Sequence, residues 1–237
     1  MHELEIVLLI LTSFLPPIIY SIWIRNSEKI YREKWKGIIL AFLWGATIAV
    51  IAAVILELIL NQSIVPSINP TTNHIIAVVI IAPFAEELTK PLALRLKTIK
   101  VELNEPEDGL IYGAVVGLGF SATENLLYGH SFLSQEITII TFLFLMFLRS
   151  IGGCLLHASA TAWTGYGYGK TILNKTSISG VIPYFVLAIL IHAMYNGLLT
   201  FDISGALFGL IAALTFAIIT ISIVRKKIIF LDKSNGG

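Results

Sequence analysis

The chain alternates between long apolar runs and short polar breaks. At ~20 apolar residues per bilayer crossing, seven runs qualify, near 5–24, 37–60, 74–96, 109–128, 137–169, 178–200 and 205–224. The longest breaks, 25–36, 61–73 and 97–108, are too short for a soluble domain. The pattern predicts an all-α polytopic membrane helix bundle of about seven transmembrane helices, a single integral-membrane domain over 1–237. The run 137–169 is long for one crossing: at ~1.5 Å per residue it reaches about 50 Å, against a hydrocarbon core of ~30 Å. It is expected to tilt, to bend at Gly152-Gly153 or to protrude.

Composition agrees with the pattern, since 56% hydrophobic and 13% charged residues with a mean hydropathy of +0.85 exclude an ordinary soluble domain. Charge adds orientation. Arg25, Lys29, Arg32, Lys34 and Lys36 follow the first run, Arg95, Lys97 and Lys100 the third, Lys170 and Lys175 the fifth, and Arg225, Lys226, Lys227 and Lys233 the last. The segments 61–73, 129–136 and 201–204 contain no Lys or Arg. The positive-inside rule then places the N-terminus out and the C-terminus in, as expected for a multi-pass protein of the plasma membrane. No basic region precedes the first run, so a retained anchor is expected rather than a signal peptide. A net charge of +1 argues against a nucleic-acid partner, and the basic flanks would face lipid headgroups of the bilayer. Cys154 is the single cysteine, which leaves no intrachain disulfide and no thiolate metal cluster.

Candidate chemistry lies inside the apolar runs, where ionisable side chains are costly and mark sites. Seven stand out: Glu86, Glu87, Lys90, Glu124, Arg149, His157 and His192. The third run reads Pro83-Phe84-Ala85-Glu86-Glu87-Leu88-Thr89-Lys90-Pro91. Glu86 and Lys90 share a helix face, whereas Glu87 points about 100° away. A structural ion pair accounts for Glu86 and Lys90 but gives the second glutamate nothing to do. In α-helical register Pro83 leaves the carbonyl of Val79 without its donor, and Pro91 that of Glu87. Such irregular backbone is tolerated where it lines a cavity or is buried in protein.

The fourth run carries Gly109, Gly113 and Gly117, a small-residue stripe suited to close helix approach, and then Phe120-Ser121-Ala122-Thr123-Glu124-Asn125. In the fifth, Arg149, Gly153, His157, Thr161 and Gly165 recur every four residues. Arg149 needs an anionic partner, and Glu86, Glu87 and Glu124 are the deep ones on offer. In the sixth, His192 and Asn196 stand one turn apart and can aim an imidazole and a carboxamide at one point, as an oxyanion requires.

These spacings, Glu86-Glu87-Leu88-Thr89-Lys90 as EExxK, Phe120 to Glu124 as FxxxE and His192 to Asn196 as HxxxN, resemble a known superfamily. Over about 74–200 the chain is similar to PrsW-type intramembrane proteases, relatives of the CAAX prenyl proteases and Abi proteins. The resemblance implies a membrane-embedded peptidase that cuts a membrane-associated polypeptide, as PrsW-type enzymes do in regulated proteolysis of anti-sigma factors. Glu86 and Glu87 match the paired glutamates, Lys90 the basic residue, and Glu124 the final position of the second motif. His157 resembles the histidine of the intervening motif and His192 that of the last. Asn196 stands where PrsW-type proteins often show aspartate and CAAX-type ones asparagine.

The expected chemistry is hydrolysis of a peptide bond, with Glu86 or Glu87 taking a proton from water, His192 and Asn196 stabilising the oxyanion, and His157 and Glu124 orienting water or ligand groups. Lys90 and Arg149 would support them. A divalent metal such as zinc, held by Glu87, Glu124, His157 and His192, is the competing version, since imidazole with carboxylate suits it. No HExxH motif is present, so both versions stay open. A proton- or ion-coupled transporter could use the same buried glutamates and histidines as a relay, although no internal repeat is visible. A retinal-type receptor is excluded by the lack of lysine in 205–224. Counting residues from the outer face puts Glu86 about 18 Å deep and His157 about 30 Å deep at ~1.5 Å each. They can meet only if the fifth helix starts beyond the bilayer or bends.

Overall fold

The computed structural model describes residues 3–64, 69–201 and 205–235, and within them every regular element is helical. Residues 65–68 and 202–204, in two of the segments free of Lys and Arg, lie outside the described residues. The helices are α1 (Glu3–Arg25), α2 (Trp35–Trp44), α3 (Val50–Ile64), α4 (Pro70–Ile76), α5 (Ala82–Thr89), α6 (Lys97–Lys100), α7 (Asp108–Leu133), α8 (Ile139–Leu173), α9 (Ile182–Thr200) and α10 (Ala206–Asn235). A π-helical turn, Gly45–Ala49, joins α2 to α3, and another, Ala77–Ile81, joins α4 to α5.

Among the described residues, six helical stretches are long and apolar enough to cross a membrane: Glu3–Arg25, Trp35–Ser63, Asp108–Leu133, Ile139–Leu173, Ile178–Thr200 and Ala206–Ser234. They correspond to six of the seven predicted runs. The remaining run, 74–96, falls on four short helical pieces ending in the 3₁₀ turn Lys90–Arg95. Its charged motif lowers its apolarity, and its prolines interrupt the α-helical ladder.

The core forms around α7, in which every residue from Asp108 to Ala122 is buried. Its glycine stripe lies directly on the backbone of α8. A Cβ on Gly109 would meet the carbonyl of Gly165, one on Gly113 that of Thr161, and one on Gly117 that of His157. The stripe of α7 and the four-residue stripe of α8 are therefore two sides of one contact, closer than larger side chains allow. That contact fixes His157 in register with the motif-bearing half of α7. The long α8 runs unbroken through Gly152-Gly153.

Both π turns sit beside the charged motifs, and their carbonyls are served by side chains from neighbouring helices. Thr123 donates to Ala46 O at 2.6 Å and Thr89 to Ala49 O at 3.2 Å. At the second turn the five-residue register alters the sequence expectation. Ala82 N–H bonds Ala77 O, so the next bond in that register would run from residue 83 to Val78, and Pro83 has no N–H. Val78, rather than Val79, carries the bared carbonyl, and Asn196 Nδ2 donates to it at 2.9 Å.

Candidate active site

Lys90 is the centre of the site. Its ammonium donates to Glu86 Oε2 at 2.8 Å, as the four-residue spacing predicts. It also donates to Glu87 Oε1 at 2.8 Å, although Glu87 starts from a different face. The four-carbon stem bridges that angular gap, because i−3 and i−4 are both neighbours of residue i on a helix. The third donor meets His157 Nδ1 at 2.9 Å, and the Phe120 ring lies 4.2 Å from the nitrogen. Lys90 is fully buried with all three of its donors used.

An ammonium cannot accept, so His157 Nδ1 must, and its Nε2–H then donates to Glu124 Oε2 at 2.8 Å. Arg149 Nη2 reaches the same carboxylate oxygen at 2.8 Å, while its Nε donates to Asn125 Oδ1 at 2.8 Å. Of the three partners sequence offered for Arg149, the structure selects Glu124. The depth conflict between Glu86 and His157 also disappears: His157 Nδ1 lies 3.6 Å from Glu86 Oε2, and the rings of His157 and His192 are 4.9 Å apart.

The two adjacent glutamates differ sharply. Glu87 is fully buried and accepts from Lys90, from His192 Nδ1 at 3.1 Å, and on its other oxygen from Thr161 Oγ1 at 2.9 Å. Glu86 accepts from Lys90 on Oε2, and among the described residues no hydrogen bond reaches its Oε1. Glu86 also lines a cavity of about 470 Å³, which Glu87 does not. Glu124, Arg149, His157, His192 and Asn196 share this wall. Asn61, His74, Tyr128 and Thr200 line it too, and each borders a segment without Lys or Arg, so the cavity extends toward that end of the bundle.

Every candidate from the sequence thus reaches one site. Asn196 departs from expectation in that one amide N–H is committed to Val78. Glu57, in α3, also lines the cavity; it stands inside the run 37–60, so the rule that flagged the other membrane carboxylates applies to it equally. Thr161 was visible as part of a stripe, but its hydroxyl bond to Glu87 depends on how α5 meets α8.

Glu86, Glu87, His157 and His192 each offer a ligand atom within 4.8 Å of the others, with Glu86 where sequence suggested Glu124. Two carboxylates and two imidazoles are donors that zinc accepts. Three of the four already address the Lys90 ammonium, however, and a dication at the same point would sit against that fixed charge. As arranged, the centre is occupied by lysine and does not fit a metal ion.

Fold and site together define an all-α polytopic membrane protein with a buried ionic centre opening on a cavity. The family described as PrsW family intramembrane metalloprotease matches residues 33–223, and the chain belongs to it. A similar curated protein, Protease PrsW of Clostridioides difficile (strain 630), is 31% identical over 121 residues, covering 51% of this chain and 50% of that protein. The chain spans about half the length of this relative. No solved structure matches.

Proposed function

We propose that the protein is an intramembrane endopeptidase that hydrolyses a peptide bond in a membrane-associated polypeptide, with Glu86 as the base. The observation carrying this is the asymmetry of the pair: Glu86 lines the cavity and keeps one oxygen unbonded among the described residues, while Glu87 is saturated by three donors. Glu86 takes a proton from water as the water oxygen bonds to the scissile carbonyl carbon. The same proton passes to the amide nitrogen as the C–N bond breaks. Asn196 stabilises the oxyanion through the N–H that Val78 does not use. His192 adds a second donor only as an imidazolium, since its Nδ1–H is given to Glu87, which then serves as its counter-ion.

Glu87, Lys90 and Thr161 hold the geometry, and Glu124 with Arg149 orients His157. The chemistry proceeds with the lysine in place and no metal. Belonging to a protease family favours hydrolysis over transport. We place the protein in the plasma membrane with seven crossings, counting 70–95, the N-terminus out and the C-terminus in. Water then enters from the outer end, where the Lys- and Arg-free segments border the cavity.

The test compares membrane-protein fragments in cells carrying wild type, Glu86→Gln or Glu87→Gln, with abundance and folding matched. Glu86→Gln is expected to lower cleavage by roughly 10²–10⁴-fold, the usual worth of a general base, and chelators to leave wild-type cleavage unchanged. Full activity in Glu86→Gln removes the base assignment. Chelator-sensitive cleavage restored by zinc would show that Lys90 gives way to a metal.

A further inference from the structure

A second group of buried carboxylates lies at the opposite end of the bundle, beside the basic flanks. Glu28 and Glu33 belong to the connection between α1 and α2, Glu107 and Asp108 to the start of α7, and Asp232 to the last turns of α10; all are buried. Oxygens of Glu28, Glu107 and Asp232 lie within 4.8 Å of one another, and Glu28 forms a second such group with Glu105 and Asp108.

Glu28, the member common to both groups, differs from the glutamates of the membrane site, each of which has a lysine or arginine partner. Among the described residues no lysine or arginine side chain pairs with Glu28 or Asp232. The nearby arginines are directed elsewhere: Arg25 Nε to the Glu33 carbonyl, Arg32 Nε to the Glu28 carbonyl and Arg225 Nε to Ser27 Oγ. Asp232 accepts the backbone N–H groups of Lys29 and Ile30, and Glu28 Oε2 accepts that of Glu33. The other oxygen of Glu28, Oε1, is buried with no hydrogen-bond partner among the described residues. A buried carboxylate oxygen without a donor is strongly disfavoured unless something positive reaches it.

We propose that Glu28, Glu107 and Asp232 form a site for a hard divalent cation of the calcium or magnesium type. The donor atoms are all carboxylate oxygens, with neither the imidazole nor the thiolate that zinc selects. A cation of this type takes six to eight oxygens and fills the positions the protein leaves with waters, so three carboxylates suffice as its protein ligands. A cleft of about 500 Å³ lined by Glu33, Glu105 and Asp108, with Arg32 and Lys34 also on its wall, adjoins the group that Glu28 forms with Glu105 and Asp108. The three ligands come from the α1–α2 connection, the approach to α7 and the end of α10, so an ion there ties three distant chain segments together. The site shares no residue with the membrane centre and does not depend on the protease assignment.

The experiment is calorimetric titration of the chelator-treated, full-length protein in micelles with calcium and, separately, magnesium, alongside Tm measurements. Wild type should bind one ion of at least one of these saturably and gain Tm. Glu28→Gln and Glu107→Gln should each weaken binding by at least about tenfold, because ligand charge sets affinity for hard cations, and should lose the Tm gain. Glu86→Gln, altered only at the membrane centre, should bind as wild type does. Absence of saturable binding of either ion to wild type overturns the proposal whatever the variants do. Equal binding by Glu28→Gln or Glu107→Gln, or loss of binding in Glu86→Gln, overturns it as well.

Discussion

The membrane centre and the carboxylate group at the basic end solve one electrostatic problem in opposite ways. Each buries several acidic side chains. In the membrane, Glu86, Glu87 and Glu124 are matched by Lys90 and Arg149, with every link a hydrogen bond of 2.8 Å. At the basic end, Glu28 and Asp232 rely on backbone N–H groups, and no lysine or arginine among the described residues forms an ion pair with them. Depth explains the contrast. Inside hydrocarbon the compensating charge must belong to the chain, whereas near the headgroups protons and ions are available from water. Fixed charge gives permanent geometry, and borrowed charge gives a site that responds to conditions.

Removing the fixed cation should break the contrast most completely. Lys90→Met would leave Glu86, Glu87 and His157 around an apolar stem, and stranding buried charges typically costs about 3–5 kcal/mol. Unfolding of purified protein in micelles should show a loss of that order. Adding Glu87→Gln should restore part of it, because the residues share one network and their effects cannot be additive. An unchanged unfolding midpoint in Lys90→Met would mean that the ammonium does not hold the centre together.

The membrane centre was far more legible in sequence than the group at the basic end. Charges in apolar runs stand out against their background, and the four-residue spacings of Glu86 with Lys90, His157 with Thr161, and His192 with Asn196 place them on defined helix faces. Glu57 carries the same signal. Less legible was the reach of Lys90 to three partners, which depends on α5 and α8 meeting side by side. The shift of the bared carbonyl from Val79 to Val78 depends on a local π register that proline alone does not specify. Glu28, Glu107 and Asp232 carried almost no signal, since acidic residues in polar connections are usually solvated. Only the packing of chain segments some 200 positions apart, as in the Lys29 to Asp232 bond, brings them together and buries them.

The borrowed charge should appear in a pH profile. Burial, the largest cause in each case, raises Glu28 from an ordinary 4.5 to about 8, Glu33 to about 9 and Glu107 to about 7, and repulsion from Asp108 adds to all three. The folded state therefore binds more protons than the unfolded chain across this interval, so these groups stabilise below 4.5 and lose that contribution as pH rises through about 7 to 9. Tm of the chelator-treated protein should fall with rising pH over that window. The slope should flatten in Glu28→Gln, which cannot ionise at that position. A Tm that rises with pH in wild type would contradict the assignment of burial as the dominant cause.

The smallest effect concerns single polar atoms, where the two regions differ again: Glu28 Oε1 has no donor among the described residues, whereas the Val78 carbonyl bared by Pro83 is served by Asn196. Asn196→Ala removes that donor and should destabilise the protein by about 1 kcal/mol, the typical net worth of one buried hydrogen bond. The cause can be isolated by repeating the change in a Pro83→Ala background. There residue 83 regains an N–H that can bond Val78 in the π register, so Asn196 becomes redundant for stability. The expected outcome is a smaller loss for Asn196→Ala in that background than in the wild-type chain. Equal losses in both would mean that Asn196 stabilises the fold through packing at the cavity wall and not through the carbonyl that proline leaves bare.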